Sequence, residues 1–211
     1  MKPFGRTMED QRAYDHGSYA PEFDATQPGR IDLVRMHIEQ ILLKDLTRRP
    51  IRIVDLGCGA GDTTGPYSGT KIYSSPRGVI HTTGIEVVGI DWMPDAERQV
   101  KRRFPSMKFF NAAVEEVEAV ECDLLVMTEF LEHVADPRTL TARWMAKANW
   151  ALIGHPLNEP DPPFEKGHAW SYNFDDFISW FGANGFNLWA WETFPMGPYQ
   201  MILGHGSRNA G

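Results

Sequence analysis

The stretch IRIVDLGCGAGD, residues 51–62, constrains the fold more than any other part of the chain. Ile51, Ile53 and Val54 form a short β-branched run that reads as a buried strand. The run ends in an acid, Asp55, and then in three alternating glycines, Gly57, Gly59 and Gly61. Glycines at a strand exit let the backbone turn sharply and approach a ligand closely. A dinucleotide-binding turn needs a further glycine three residues after the second, and Asp62 stands there. The turn is therefore a ligand-binding bend of another kind, at the carboxyl end of a first strand.

The rest of the chain supplies the sheet around that strand. EVVGID (86–91) is a second strand ending in Asp91, followed by Trp92 and Met93. KFFN (108–111), DLLVMT (123–128) and WALIGH (150–155) read as the third, fourth and fifth strands. Residues 186–195 and 199–206 form a closing pair across a Pro/Gly turn. Helices separate the strands. Residues 30–46 carry Ile31, Val34, Ile38, Ile41 and Leu42 at helical spacing. Residues 94–104 open with Pro94 at the first helical position. The helix after Asp136 has Pro137 at its start, and the one over 173–185 closes at Gly185. Strands alternating with helices predict an α/β fold: a parallel sheet covered on both faces, with one antiparallel strand near the C-terminus. Residues 1–29 are polar and read as an arm or lid, with Tyr14, His16 and Tyr19 facing a substrate. Residues 30–211 read as one domain, in which the Gly-, Ser-, Thr- and Pro-rich stretch 62–85 is an insertion.

An acid two residues before three alternating glycines, with a second acid ending the next strand, resembles the class I S-adenosylmethionine (SAM)-dependent methyltransferases. The resemblance implies a Rossmann-like sheet of seven strands and a SAM site built from Asp55, Gly57, Cys58, Gly59 and Gly61. Asp91 would grip the ribose hydroxyls, Trp92 and Met93 would face the adenine, and Ala112 and Ala113 would stand after the third strand where the family often has an acid. The longer connection from Gly57 to Asp91 is a departure from the family, and accounts for the expected insertion.

CDLLVMTEFLEHVADP (122–137) is similar to the fourth strand and following turn of the ubiquinone-type O-methyltransferases. Glu129, Glu132 and His133 fall at i, i+3 and i+4, which share a face if the turn is helical. A narrower resemblance is to the methyltransferases acting on the terminal 2′-hydroxyl of small RNAs. There a Glu-x-x-Glu-His turn and a later histidine bind a divalent cation. The corresponding residues here are Glu129, Glu132, His133 and His168, and the distance from His168 to Phe177 matches the family's. Two oxygens and two nitrogens suit Mg²⁺, Mn²⁺ or Zn²⁺. The same residues also fit a plainer arrangement, with Glu129 lining the cofactor pocket and Glu132 and His133 hydrogen-bonding locally. His133 and His155 are the candidate catalytic residues. His155, at the end of the fifth strand, reads either as a general base or as a structural histidine. Trp170 and Tyr172, beside His168, are candidates for substrate contact, and the remaining tryptophans of the C-terminal third read mostly as core.

The resemblance thus implies an enzyme transferring a methyl group from SAM to a hydroxyl or amine of a small molecule. The alternatives are an RNA-end 2′-O-methyltransferase and a SAM-binding protein without catalysis. A net charge of −7 counts against a nucleic-acid partner, because phosphate binding shows as a basic excess. Two cysteines, no apolar leader and no membrane-length apolar run place the protein in the cytoplasm.

Overall fold

The computed structural model describes residues 1–4, 28–45, 49–75, 78–161, 163, 167–196 and 199–209. The expected contacts of Tyr14, His16 and Tyr19 lie outside the described residues. In chain order the elements are β1 (Lys2–Pro3), α1 (Pro28–Asp45), β2 (Pro50–Leu56), β3 (Ile72–Ser75), β4 (Gly78–His81) and β5 (Gly84–Asp91). Then follow α2 (Pro94–Arg103), β6 (Lys108–Asn111), β7 (Cys122–Thr128), α3 (Pro137–Met145), β8 (Ala148–Leu157) and β9 (Trp170–Ser171). The chain closes with α4 (Phe174–Ala183), β10 (Phe186–Met196) and β11 (Tyr199–Arg208).

Seven strands form one sheet in the order β10-β11-β8-β7-β2-β5-β6. The five N-terminal strands of this sheet pair in parallel, and β11 runs antiparallel to both β8 and β10. The seven-stranded, mostly parallel sheet expected from the sequence is thus present. Its central strands are buried on both faces. Val54, Leu125, Met127 and Ile153 point to one apolar cluster, completed by Leu140 and Trp144 of α3 and Phe177 and Phe181 of α4. Ile53, Leu124, Val126 and Leu152 alternate to the other, completed by Val34, Ile38 and Ile41 of α1 and Val100 of α2. Each fully buried Leu, Ile or Val contributes about 1.5–3 kcal/mol of transfer free energy, so these two layers hold the helices on the sheet.

A buried polar link ties α1 to the sheet's edge. His37 Nδ1 lies 2.7 Å from His205 Nδ1 on β11, and its Nε2 lies 2.9 Å from the Glu192 carboxylate on β10. The stretch expected as an insertion holds a short 3₁₀ turn, Gly65–Tyr67, and the β3–β4 hairpin. Two tryptophans read as core are half exposed: Trp189 and Trp191 lie on β10, which is the sheet's edge strand. Among the described residues no helix is long and apolar enough to cross a membrane.

Candidate active site

The carboxyl ends of the parallel strands β2, β5 and β7 bring the sequence-predicted residues to one edge of the sheet. After β2 the chain enters the left-handed region three times, at Gly57 (φ 68°), Gly59 (φ 50°) and Gly61 (φ 77°). At Gly57 glycine is required twice over: a Cβ there would also stand 2.5 Å from the Phe130 ring. The turn is pinned to the next strand. Gly57 N–H donates to the Ile90 carbonyl at 2.9 Å, and Gly59 N–H donates to the Asp91 carboxylate at 2.9 Å. The other Asp91 oxygen accepts from Met93 N–H at 2.9 Å. Asp91 is buried, and burial holds its carboxyl above the usual range despite these bonds. A carboxylate held this way has lone pairs left for a vicinal diol.

Asp55, expected at the cofactor site, has its carboxylate turned to two threonines of the outgoing loop. It is buried at the end of β2, where the Thr63 and Thr64 hydroxyls both donate to it, at 3.3 and 2.6 Å. Burial raises its pKa to about 7. Its work is to tie the outgoing loop back to the strand. Cys58 is buried under the same turn, and burial pushes its thiol well up. Trp92 and Met93 are half-buried, as are Ala112 and Ala113 after β6. Ala112 N–H and the Asn111 side-chain amide both donate to the Asp91 carbonyl at 3.2 Å, which brings the end of β6 against the end of β5.

The turn after β7 differs from the helical turn the sequence suggested. Glu129 sits at φ 54°, and its N–H donates to the Gly154 carbonyl of β8 at 3.0 Å. Only Leu131–His133 then form a 3₁₀ turn. A left-handed residue between strand and turn breaks the i, i+3, i+4 register, so Glu129 does not share a helical face with the other two. Among the described residues, one group of metal-ligating atoms lies within 4.8 Å of one another, from Glu132, His133 and His168. The structure gathers three of the four expected ligands, and Glu129 is not in the group.

The three converge because the segment 167–172 clamps onto the 131–134 turn. Ala169 N–H donates to the Glu132 carbonyl at 2.7 Å, the Tyr172 hydroxyl to the Leu131 carbonyl at 2.7 Å, and the Trp170 indole to the Val134 carbonyl at 2.6 Å. Trp170 and Tyr172, expected to touch substrate, are therefore used to hold the turn, and Tyr172 is fully buried. Glu132 is 0% exposed, and among the described residues neither of its carboxylate oxygens has a hydrogen-bond partner. Burial raises its pKa well above the carboxylate range, His168 opposes that shift, and Glu129 adds to it. His133 and His168 meet edge to face, with ring centroids 4.9 Å apart.

His155, expected at the rim of the sheet, is buried in the structure. It is 0% exposed on β8, packed 4.5 Å from the Tyr172 ring and 5.7 Å from that of Phe177, centroid to centroid. Burial lowers its pKa to about 4, and its Nδ1 lies 3.0 Å from the Pro156 carbonyl. β8 runs two residues further than the predicted strand, to Leu157, and carries His155 into the interior. Sequence reasoning missed Glu159, which is 6% exposed and whose carboxylate lies 2.5 Å from His168 Nδ1.

A family model described as a methyltransferase domain matches residues 29–193. The chain belongs to that family. The matched region covers all strands from β2 to β9 and most of β10. No curated protein sequence matches the chain. Solved structures share the fold. One is magnesium protoporphyrin IX methyltransferase from Synechocystis PCC 6803 with bound SAM, at 15% identity and a TM-score of 0.65, covering 98% of this chain and 93% of that one. Another is the N-methyltransferase NodS from Bradyrhizobium japonicum WM9, at 14% identity and a TM-score of 0.62, covering 87% and 99%. The YcgJ protein from Bacillus subtilis matches at 13% identity and a TM-score of 0.61, covering 83% and 99%. The seven-stranded sheet thus shares the Rossmann-like fold of these structures, with the glycine turn and Asp91 at the carboxyl ends of its parallel strands.

Proposed function

We propose that this methyltransferase takes its methyl group from SAM and transfers it to a hydroxyl or amine of a small molecule in the cytoplasm. One observation carries the reading: the glycine turn locked to Asp91 stands on adjacent strands to the Glu132–His133–His168 cluster, β2 beside β7. A sulfonium held by the first would face an acceptor held by the second. The solved relatives named above include one with SAM bound and one that is an N-methyltransferase, which supports the donor and the acceptor class. Gly57, Gly59 and Gly61 would cradle the amino acid part of the donor, Asp91 its ribose, and Trp92, Met93, Ala112 and Ala113 its base.

The acceptor side fits a divalent cation. Two imidazoles and a buried carboxylate, both of whose oxygens lack a hydrogen-bond partner among the described residues, form a donor set of mixed nitrogen and oxygen. Mn²⁺ or Zn²⁺ suits it better than Mg²⁺, which favours oxygen. Glu132, His133 and His168 would hold the ion, which when bound would lower the pKa of an acceptor hydroxyl. The chain's own contribution is alignment, since a methyl transfer by direct displacement gains most from holding the two reactants in line. The gathering of His168 with Glu132 and His133 also keeps an RNA-end 2′-hydroxyl as a second reading, against which the acidic net charge stands.

Calorimetry with SAM tests the core of the reading. Wild type takes up one equivalent, and Asp91→Asn binds about 10–100-fold more weakly, because a hydrogen bond to a charged group contributes about 1.5–3 kcal/mol. Circular dichroism confirms that the variant is folded. Absence of SAM uptake by wild type, or equal uptake by Asp91→Asn, refutes the assignment. Methyl transfer from labelled SAM to a panel of catechols, sugars and amines, with and without chelator, then identifies the acceptor class.

A further inference from the structure

The convergence of Glu132, His133 and His168 leaves open what fixes the two imidazoles. Each has one ring nitrogen already committed. His133 Nδ1 lies 3.2 Å from the Gly167 carbonyl, an acceptor only, so this nitrogen carries the proton. His168 Nδ1 lies 2.5 Å from a Glu159 oxygen. Both side chains of that pair are almost fully buried, at 2% and 1% exposure. The Glu159 backbone is itself held: the Ser171 hydroxyl donates to its carbonyl at 3.1 Å. The residue before it, Asn158, turns the chain at φ 53° and donates its N–H to the Tyr172 carbonyl at 2.7 Å. Glu159 is thus built in at the end of β8 and aimed at His168.

A carboxylate that accepts from one ring nitrogen leaves the other as a lone pair, which is how metal-binding histidines are commonly oriented. With Nδ1 protonated in both rings, Nε2 is the nitrogen of each that can ligate an ion together with the Glu132 carboxylate, whose two oxygens have no hydrogen-bond partner among the described residues. We propose that Glu159 is a positioning residue: it holds His168 as the Nδ1–H tautomer and thereby sets the affinity of the Glu132–His133–His168 site for a divalent transition-metal ion. This rests on the metal reading above and adds to it the residue that organises the site. Glu159 touches neither donor nor acceptor and acts through His168.

The test uses the full chain with Glu159→Gln, which keeps the shape and removes the charge, and Glu159→Leu, which also removes the acceptor. Nitrogen-resolved NMR of the imidazoles in metal-free wild type is expected to show His168 protonated at Nδ1, with that signature lost in Glu159→Leu. A packing role alone would not move it. Calorimetry with Mn²⁺ and Zn²⁺ is expected to show stoichiometric uptake by wild type and a loss of about 10–100-fold in affinity in Glu159→Gln, with SAM uptake unchanged. Tight uptake by wild type that Glu159→Gln leaves unaltered overturns the role of Glu159 and leaves the metal reading standing. So does a wild-type His168 protonated at Nε2. No uptake of either ion by wild type overturns the metal reading and this proposal together.

Discussion

Gly57 offers the sharpest test of how the glycine turn is built. Replacing it with alanine forces an L-residue to φ 68° and puts a methyl group 2.5 Å from Phe130 Cδ2. The left-handed conformation costs about 1–2 kcal/mol for a residue with a Cβ. Displacing a ring packed against the core adds about 1–3 kcal/mol. Gly57→Ala should therefore lose about 3 kcal/mol, which in a chain of this size lowers the melting temperature by about 10 °C. Phe130 stands between the glycine turn and Leu131–His133, so the displaced ring should also weaken SAM uptake. Gly182→Ala is the internal control. That glycine is exposed in α4, and nothing lies within 4 Å of an added Cβ. It should gain about 0.5 kcal/mol from helix propensity alone. Both variants are read by calorimetric melting and SAM titration. A Gly57→Ala protein melting within about 2 °C of wild type would refute the argument from backbone strain and ring contact.

Two further outcomes follow from the same geometry. Asn173 and Asp176 cap α4 reciprocally: Asp176 N–H donates to the Asn173 side chain at 2.9 Å, and Asn173 N–H to Asp176 at 3.0 Å. Asn173→Ala should cost about 1 kcal/mol in denaturant unfolding, and an unchanged midpoint would contradict the capping role. His155 titrates at about 4 in the folded chain because it is buried, against about 6.5 when unfolded. Between those values the unfolded state binds the extra proton, so this residue lowers stability as pH falls through that window, by about 3 kcal/mol in total. Asp55, raised to about 7, acts in the opposite direction, losing its contribution as pH rises. The clean readout is therefore a difference: from pH 7 to pH 4 wild type should lose about 3 kcal/mol more than His155→Phe, and parallel pH profiles would exclude the effect.

What was legible in the sequence is what local chemistry dictates. The glycine turn could be read because its positive φ angles admit few other residues, and Asp91 because a strand must end where an acid and a proline follow. The helices and the parallel strands were legible from periodicity. The misplaced residues share a different cause. The spacing in TEFLEH predicts a helical face for Glu129 because nothing in it announces one left-handed residue between strand and turn. Pro156 predicts a strand end that leaves His155 at the sheet's rim, whereas β8 runs through the proline to Leu157. Trp189 and Trp191 were read as core because an edge strand has the same alternation as an inner one. Glu159 lies in a proline-rich loop with no period, and its importance comes only from a contact with His168, nine residues on.

The juxtaposition of the proposed donor and acceptor half-sites follows from strand order rather than from any single residue. β2 lies between β5 and β7, both parallel to it, so their carboxyl ends open on the same edge. Neighbouring strands stand about 4.8 Å apart, which puts the loops that follow them within one side chain of each other. Asp91 from β5 reaches back to Gly59, and Phe130 from β7 reaches across to Gly57. The glycine turn is thus held from one side by a carboxylate and from the other by an aromatic ring that directly precedes Leu131–His133. Any change that moves Phe130 must act on both half-sites, whereas a change at Glu159 reaches only the acceptor half. That asymmetry is why SAM uptake should fall in Gly57→Ala and survive in Glu159→Gln.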